Sequence, residues 1–134
     1  MNTAIFFADG FEEIEGLTVV DMFRRAGIPI QTVSISDSLT VTGSHAIKVQ
    51  ADCLLADFDF NTVEMLILPG GMPGTTNLSK CEPLCDALMQ SSGPLSRCYL
   101  CSAKHSRQPR HLKRTCCHML PWLRKETLWC LYHH

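Results

Sequence analysis

Leu66-Ile67-Leu68-Pro69-Gly70-Gly71-Met72-Pro73-Gly74 is an apolar run of strand length that breaks into glycine and proline. It reads as the carboxyl end of a buried strand. In open α/β sheets the crevice beyond such strand ends binds ligands, and two adjacent glycines let backbone NH groups face it. The simpler reading is a tight turn, which Gly and Pro make in any fold. The rest of the chain has to decide between the two.

Upstream, Thr3 to Ala8 is apolar and reads as a buried first strand, closed by Asp9-Gly10. The helix that follows begins around Phe11-Glu12-Glu13-Ile14-Glu15. On its wheel Glu15, Val19, Met22 and Ala26 share one face, with Gly16, Val20 and Phe23 beside them, while Glu12, Glu13, Arg24 and Arg25 fall elsewhere. Acids in a first helical turn are expected from the helix dipole, so Glu12 and Glu13 need no further role. Glu15 is the one carboxyl on the apolar side, which makes it a candidate proton donor at a site. Gly27 ends the helix, and Ile28 to Ile35 gives the second strand of a βαβ unit.

Leu39 to His45 and Ala46 to Val49 form a hairpin-like excursion turning at Gly43-Ser44, with His45 as a surface residue. Asp52 to Asn61 is a connection with a short helix at Leu54 to Phe58, and Val63 to Leu68 is the third core strand. Asn77 or Ser79 caps a last helix through Leu84, Ala87 and Leu88. Cys81 and Cys85 stand at i, i+4 there, with no further Cys or His nearby to complete a metal site.

At 134 residues the chain is long enough for one domain with a real core. No apolar run is long enough to span a membrane, and the basic start of a signal peptide is absent, so the expected compartment is the cytoplasm and the eight cysteines are expected as thiols. The averages conceal a break. Residues 1–90 hold four Lys or Arg against twelve Asp or Glu, a formal charge of -8, whereas residues 91–134 hold eight against the single Glu126, a formal +7. Five of the eight Cys, five of the six His and both Trp also fall in the tail. Residues 1–90 are therefore expected to be part of an α/β domain, and 91–134 not to be a domain.

Ala8-Asp9-Gly10-Phe11-Glu12-Glu13-Ile14-Glu15, then Val20-Asp21, Arg24-Arg25-Ala26-Gly27, Val41-Thr42-Gly43-Ser44-His45, and Leu68-Pro69-Gly70-Gly71-Met72-Pro73-Gly74 with Asn77-Leu78 resemble the ThiJ/PfpI superfamily. The likeness covers residues 2 to about 90 and is to the branch of the parkinsonism-associated deglycase. It implies a flavodoxin-like (class I glutamine amidotransferase-like) three-layer sandwich with a mostly parallel sheet. It implies also a homodimer and a reactive cysteine at a strand-to-helix elbow. Glu15 matches the carboxyl that hydrogen-bonds that thiol, and Gly70 and Gly71 match the backbone facing it, where their NH groups would hold an oxyanion. A thiol becomes a useful nucleophile when donors stabilise its thiolate.

The family would next supply a strand ending in a motif like A-A-I-C-A-A-P-S, but this chain reads Arg97-Cys98-Tyr99-Leu100-Cys101-Ser102-Ala103-Lys104, and the nucleophilic cysteine is absent. Joining each codon's last two bases to the first base of the next permits AAICAAPS across Arg97 to Lys104, residue for residue. Single-codon residues are stricter. Met119 followed by Leu120 forces cysteine, and Trp122 followed by Leu123 forces glycine, within a stretch that permits C-Y-P-G-F-E, another family-like sequence. Arg110 to Arg114 permits G-T-L-K-G or G-I-L-K-G. The chain after roughly Leu88 to Pro94 is accordingly expected to be out of frame. The rival is a zinc-binding appendage using Cys98, Cys101, His105, His111, Cys116, Cys117 and His118, although the later spacings fit no common zinc motif.

For the intact protein the resemblance implies cysteine-dependent glyoxalase or deglycase chemistry on reactive dicarbonyls or early glycation adducts. The alternatives are a redox-sensing or chaperone-like dimer and a cysteine peptidase-like branch. No cofactor is expected, since no G-x-G-x-x-G follows the first strand, and no metal, nucleic acid or membrane partner either. Residues 1–90 are expected to supply three sheet strands and two helices, leaving the edge of the Val63 to Leu68 strand open. The 134-residue chain is thus expected to be inactive and poorly folded, with at most a short helix near Cys116 to Lys125.

Overall fold

Phe6 and Phe7 set out how the domain is layered, because neighbouring residues of a strand point to opposite faces and here both faces are covered. The computed structural model describes residues 2–90. The first strand, β1 (Thr3–Phe7), is buried along its whole length. It leads through α1 (Glu13–Arg25) to β2 (Ile30–Ser34). A hairpin of β3 (Thr40–Thr42) and β4 (Lys48–Gln50) comes next, its strands antiparallel. After β5 (Cys53–Leu54) come two 3-10 turns at Leu55–Asp57 and Phe60–Thr62, then β6 (Met65–Ile67), α2 (Gly74–Ser79) and α3 (Glu82–Gln90).

The main sheet has the order β5-β2-β1-β6 and every pairing in it is parallel, with Ile5 opposite Thr32 on one side and Ile67 on the other. Ala4, Phe6 and Ala8 face a core shared with Leu66, Leu68, Leu78, Leu84 and Leu88, that is, with α2 and α3. Phe58 and Phe60 close this layer, their rings 5.3 and 5.8 Å from that of Phe6. Ile5 and Phe7 face the opposite core with Val20 of α1, Val41 of β3, Met65 and Ile67. Each fully buried phenylalanine contributes roughly 1.5–3 kcal/mol by leaving water. Helices on both faces of a parallel sheet make the α/β sandwich expected from the sequence, of flavodoxin-like order around β1.

Several local expectations need correction. The sheet has a fourth strand, β5, whose two residues are too short to show a period. The single last helix is two, α2 and α3, so Asn77 and Ser79 lie inside α2 and cap nothing; the Asn77 amide donates instead to the Asp9 carbonyl at 2.9 Å. Cys81 precedes α3 rather than sharing its face with Cys85. On α1 the buried residues are Glu13, Gly16 and Val20, with Val19 and Phe23 packed alongside, while Met22 and Ala26 are exposed. The inward face is thus rotated from the one drawn through Glu15, and Glu15 is only half-buried. The restored cysteine, the zinc ligands and the tail helix lie outside the described residues. Among the described residues β6 pairs with β1 alone.

Candidate functional site

The strand order reverses at β1, which has β2 on one side and β6 on the other. At such a switch point the loops leaving adjacent strands diverge and open a crevice. Here the loops after β1 and β6 are stitched together by backbone: the Glu12 NH donates to the Gly70 carbonyl at 2.8 Å, and the Gly74 NH to the Gly10 carbonyl at 3.1 Å. Gly71 sits at φ +101°, and a Cβ there would overlap the backbone of Phe11 and Glu12. The pair of glycines is therefore more than a turn, because it lets two loops touch.

Glu15, one helical turn in, closes the ring, with its Oε2 accepting the Gly70 NH at 2.7 Å. This brings together Glu15 and Gly70, two of the three residues singled out in the sequence, and occupies the Gly70 donor. The Gly71 NH makes no hydrogen bond among the described residues. Oε1 of Glu15 makes no hydrogen bond among the described residues.

The residue that sequence reasoning missed is Glu13. It is 4% exposed, and its carboxylate accepts the His45 backbone NH at 2.7 Å, the His45 Nδ1 at 2.9 Å and the Ser44 hydroxyl at 3.1 Å. Burial alone would push this carboxyl up, but the bonds from His45 and Ser44 outweigh it and hold it down at about 2, against an ordinary 4.5. The Glu13 bond raises the His45 imidazole above its ordinary 6.5, helped by the charges of Glu12 and Glu13. His45 is on the surface, as expected, yet its Nδ1 and backbone NH are both engaged. A signal was present in the sequence: Glu13, Gly16, Val20 and Phe23 also follow helical spacing, and Gly43-Ser44 offers space and donors opposite. A Cβ on Gly43 would occupy the volume of the Glu13 carboxylate.

Glu12, Glu13 and His45 each present a ligand atom within 4.8 Å of the others, so among the described residues they are the group able to approach a metal. Those atoms are taken up by one another and by Ser44. Cys53, Cys81 and Cys85 are free thiols. Cys53 and Cys81 pack against the core on the α2–α3 side, away from the layer that holds α1. Burial pushes the Cys53 and Cys85 thiols up, away from the thiolate form that reacts.

A family model for the DJ-1/PfpI family matches residues 1–94. The chain belongs to the DJ-1/PfpI family. Among DJ-1 proteins, homolog B of Arabidopsis thaliana is 36% identical over 77 residues, which are 58% of this chain and 18% of that protein. The dj-1beta protein of Drosophila melanogaster is 28% identical over 103 residues, 76% of this chain and 55% of the relative. The solved structure of oxidized Toxoplasma gondii DJ-1 superposes with a TM-score of 0.69 at 27% identity, covering 75% of this chain and 54% of that one. The chain therefore spans little more than half the length of these DJ-1/PfpI relatives, and much less of the longest. Among the described residues, no helix is long and apolar enough to cross a membrane.

Proposed function

We propose that residues 1–90 carry half of a cysteine-dependent glyoxalase or deglycase site, and that the sequence after roughly Leu88 to Pro94 is read out of frame, so that the nucleophile is missing. The observation that carries this is the 2.7 Å bond between Glu15 and the Gly70 NH at the sheet's switch point, next to Gly71, whose NH makes no hydrogen bond among the described residues. A thiolate delivered there would attack the aldehyde carbon of a small dicarbonyl, and the carbonyl oxygen would become an alkoxide for which the Gly71 NH is a donor. Gly70 then serves to fix Oε2 of Glu15, leaving Oε1 to hold a proton toward sulfur. Nothing in this chemistry requires a cofactor. Cys53, Cys81 and Cys85 are poor substitutes for the missing thiol on grounds of position. The intact protein is read as a homodimer, for which Ile14 and Met72, adjacent in sequence to Glu15 and Gly71 and 71% and 59% exposed, would be interface residues.

The test begins by sequencing the gene across codons 85 to 100 and expressing the frame-corrected protein. Incubation with methylglyoxal should yield lactate, and the yield should vanish in Glu15→Ala and on removal of the restored cysteine. A corrected frame without a cysteine at a strand-to-helix elbow, or turnover indifferent to Glu15, would overturn the proposal. The rival redox sensor draws support from the oxidized state of the Toxoplasma relative. It predicts no lactate but stoichiometric oxidation of the restored thiol by peroxide.

A further inference from the structure

We infer that Glu13 and His45 are positioning residues through which the protonation of one surface imidazole sets the geometry of the Glu15–Gly70 contact. This deepens the proposed function, and rests on it for the meaning of Glu15 but not for the coupling itself.

The connection is short. His45 and Ser44 form the tip of the β3–β4 hairpin, and both acids at the start of α1 hold it: Ser44 Oγ has one proton to donate between Glu12 at 3.2 Å and Glu13 at 3.1 Å, while His45 Nδ1 lies 2.9 Å from Glu13 and 3.6 Å from Glu12. Backbone bonds run alongside, from the Ser44 NH to the Phe11 carbonyl and from the Gly10 NH to the Thr42 carbonyl, both at 2.8 Å. Glu12 in turn donates its NH to the Gly70 carbonyl, and Gly70 donates back to Glu15. Hairpin tip and Gly70 turn are thus both hydrogen-bonded to the start of α1, whose backbone joins them.

The charged groups facing the imidazole are Glu12 and Glu13 from α1. Asp9, in the β1–α1 loop, is occupied by the Thr42 NH at 2.8 Å. Lys48 at the start of β4 makes no ion pair among the described residues, and the Gly70–Pro73 turn contributes no ionisable side chain. When His45 is protonated, one cation sits between two carboxylates. Once it is neutral, Glu12 and Glu13 are left as like charges within the same few ångströms, in the helical turn that also carries Glu15.

The sign follows from both partners. His45 is raised in the folded state, so its share of the anchoring is complete below its ordinary 6.5 and is lost as pH rises through the folded value. Glu13 is lowered, so its share is complete above 4.5 and is lost as pH falls toward about 2. The anchoring is tightest between those two limits.

The experiment is an NMR titration of the 134-residue chain at low concentration, from about pH 5 to about pH 9, following the His45 ring and the Gly70 amide. The two should move with one midpoint. In Glu13→Gln that midpoint should fall toward the ordinary histidine value, and in His45→Gln the Gly70 amide should stay flat over the range. A Gly70 amide that ignores His45 in the unaltered chain, or that still titrates in His45→Gln, would overturn the inference. No thiol, substrate or turnover enters these readouts. Failure of the coupling is therefore distinguishable from failure of the glyoxalase proposal, which would appear only in lactate.

Discussion

Gly71 and Gly27 both have positive φ, at +101° and +69°, but for different reasons. A side chain on Gly71 would meet the backbone of Phe11 and Glu12, whereas nothing lies within 4 Å of a Cβ on Gly27. Gly71→Ala should therefore cost about 2–3 kcal/mol through strain and overlap together, and Gly27→Ala only about 1 kcal/mol, as left-handed strain alone. Urea denaturation of the two variants checks this, and equal midpoints would mean that the two loops need not touch. That Gly70-Gly71 ends a buried strand was legible from the apolar run before it; that the Gly70 NH bonds to Glu15 was not. Nor was the role of Glu13. At 100° per residue, drawing the wheel through Met22 and Ala26 was enough to put the wrong carboxyl inside, and only the hairpin arriving from 30 residues away reveals which one is held.

At the scale of elements, Asp52 ties three of them together. Its Oδ2 accepts both the backbone NH and the hydroxyl of Thr32 in β2 at 2.8 Å, and Arg24 near the end of α1 approaches it at 3.2 Å. Thr32 is buried, so leaving its NH without a partner should cost about 1–3 kcal/mol in Asp52→Ala. The Arg24 pair is exposed on both sides and screened by water, so Arg24→Ala should cost under about 1 kcal/mol. Thermal melts of the two variants decide it, and the reverse order would mean that the ion pair, not the backbone contact, holds the corner. β1 was legible as a continuous apolar run, and α1 and β2 because each is long enough to display its period. β5, two residues long, was not, and the break between α2 and α3 was passed over although Pro83, in the first turn of α3, marks a helix start there.

For the whole molecule, the outer edge of β6 decides solution behaviour. Met65, Leu66 and Ile67 are buried, yet among the described residues β6 pairs only with β1. An apolar edge strand with open backbone groups recruits other chains. The 134-residue protein should show polydisperse, concentration-dependent association in sedimentation velocity, and the frame-corrected protein one discrete species. A discrete species from the unaltered chain would mean that its own tail covers the edge. The parallel order also has a consequence for how the chain is made. β1 lies inside the described sheet but leaves the ribosome first, and it can join α1 and β2 at once, whereas its pairing with β6 waits for some sixty further residues. The contact between Glu15 and Gly70, 55 positions apart, is consequently one of the last to close during synthesis. Both partners have nonetheless been translated before the ribosome reaches residue 91. A change of frame there, as proposed above, would leave every residue of this contact unaltered.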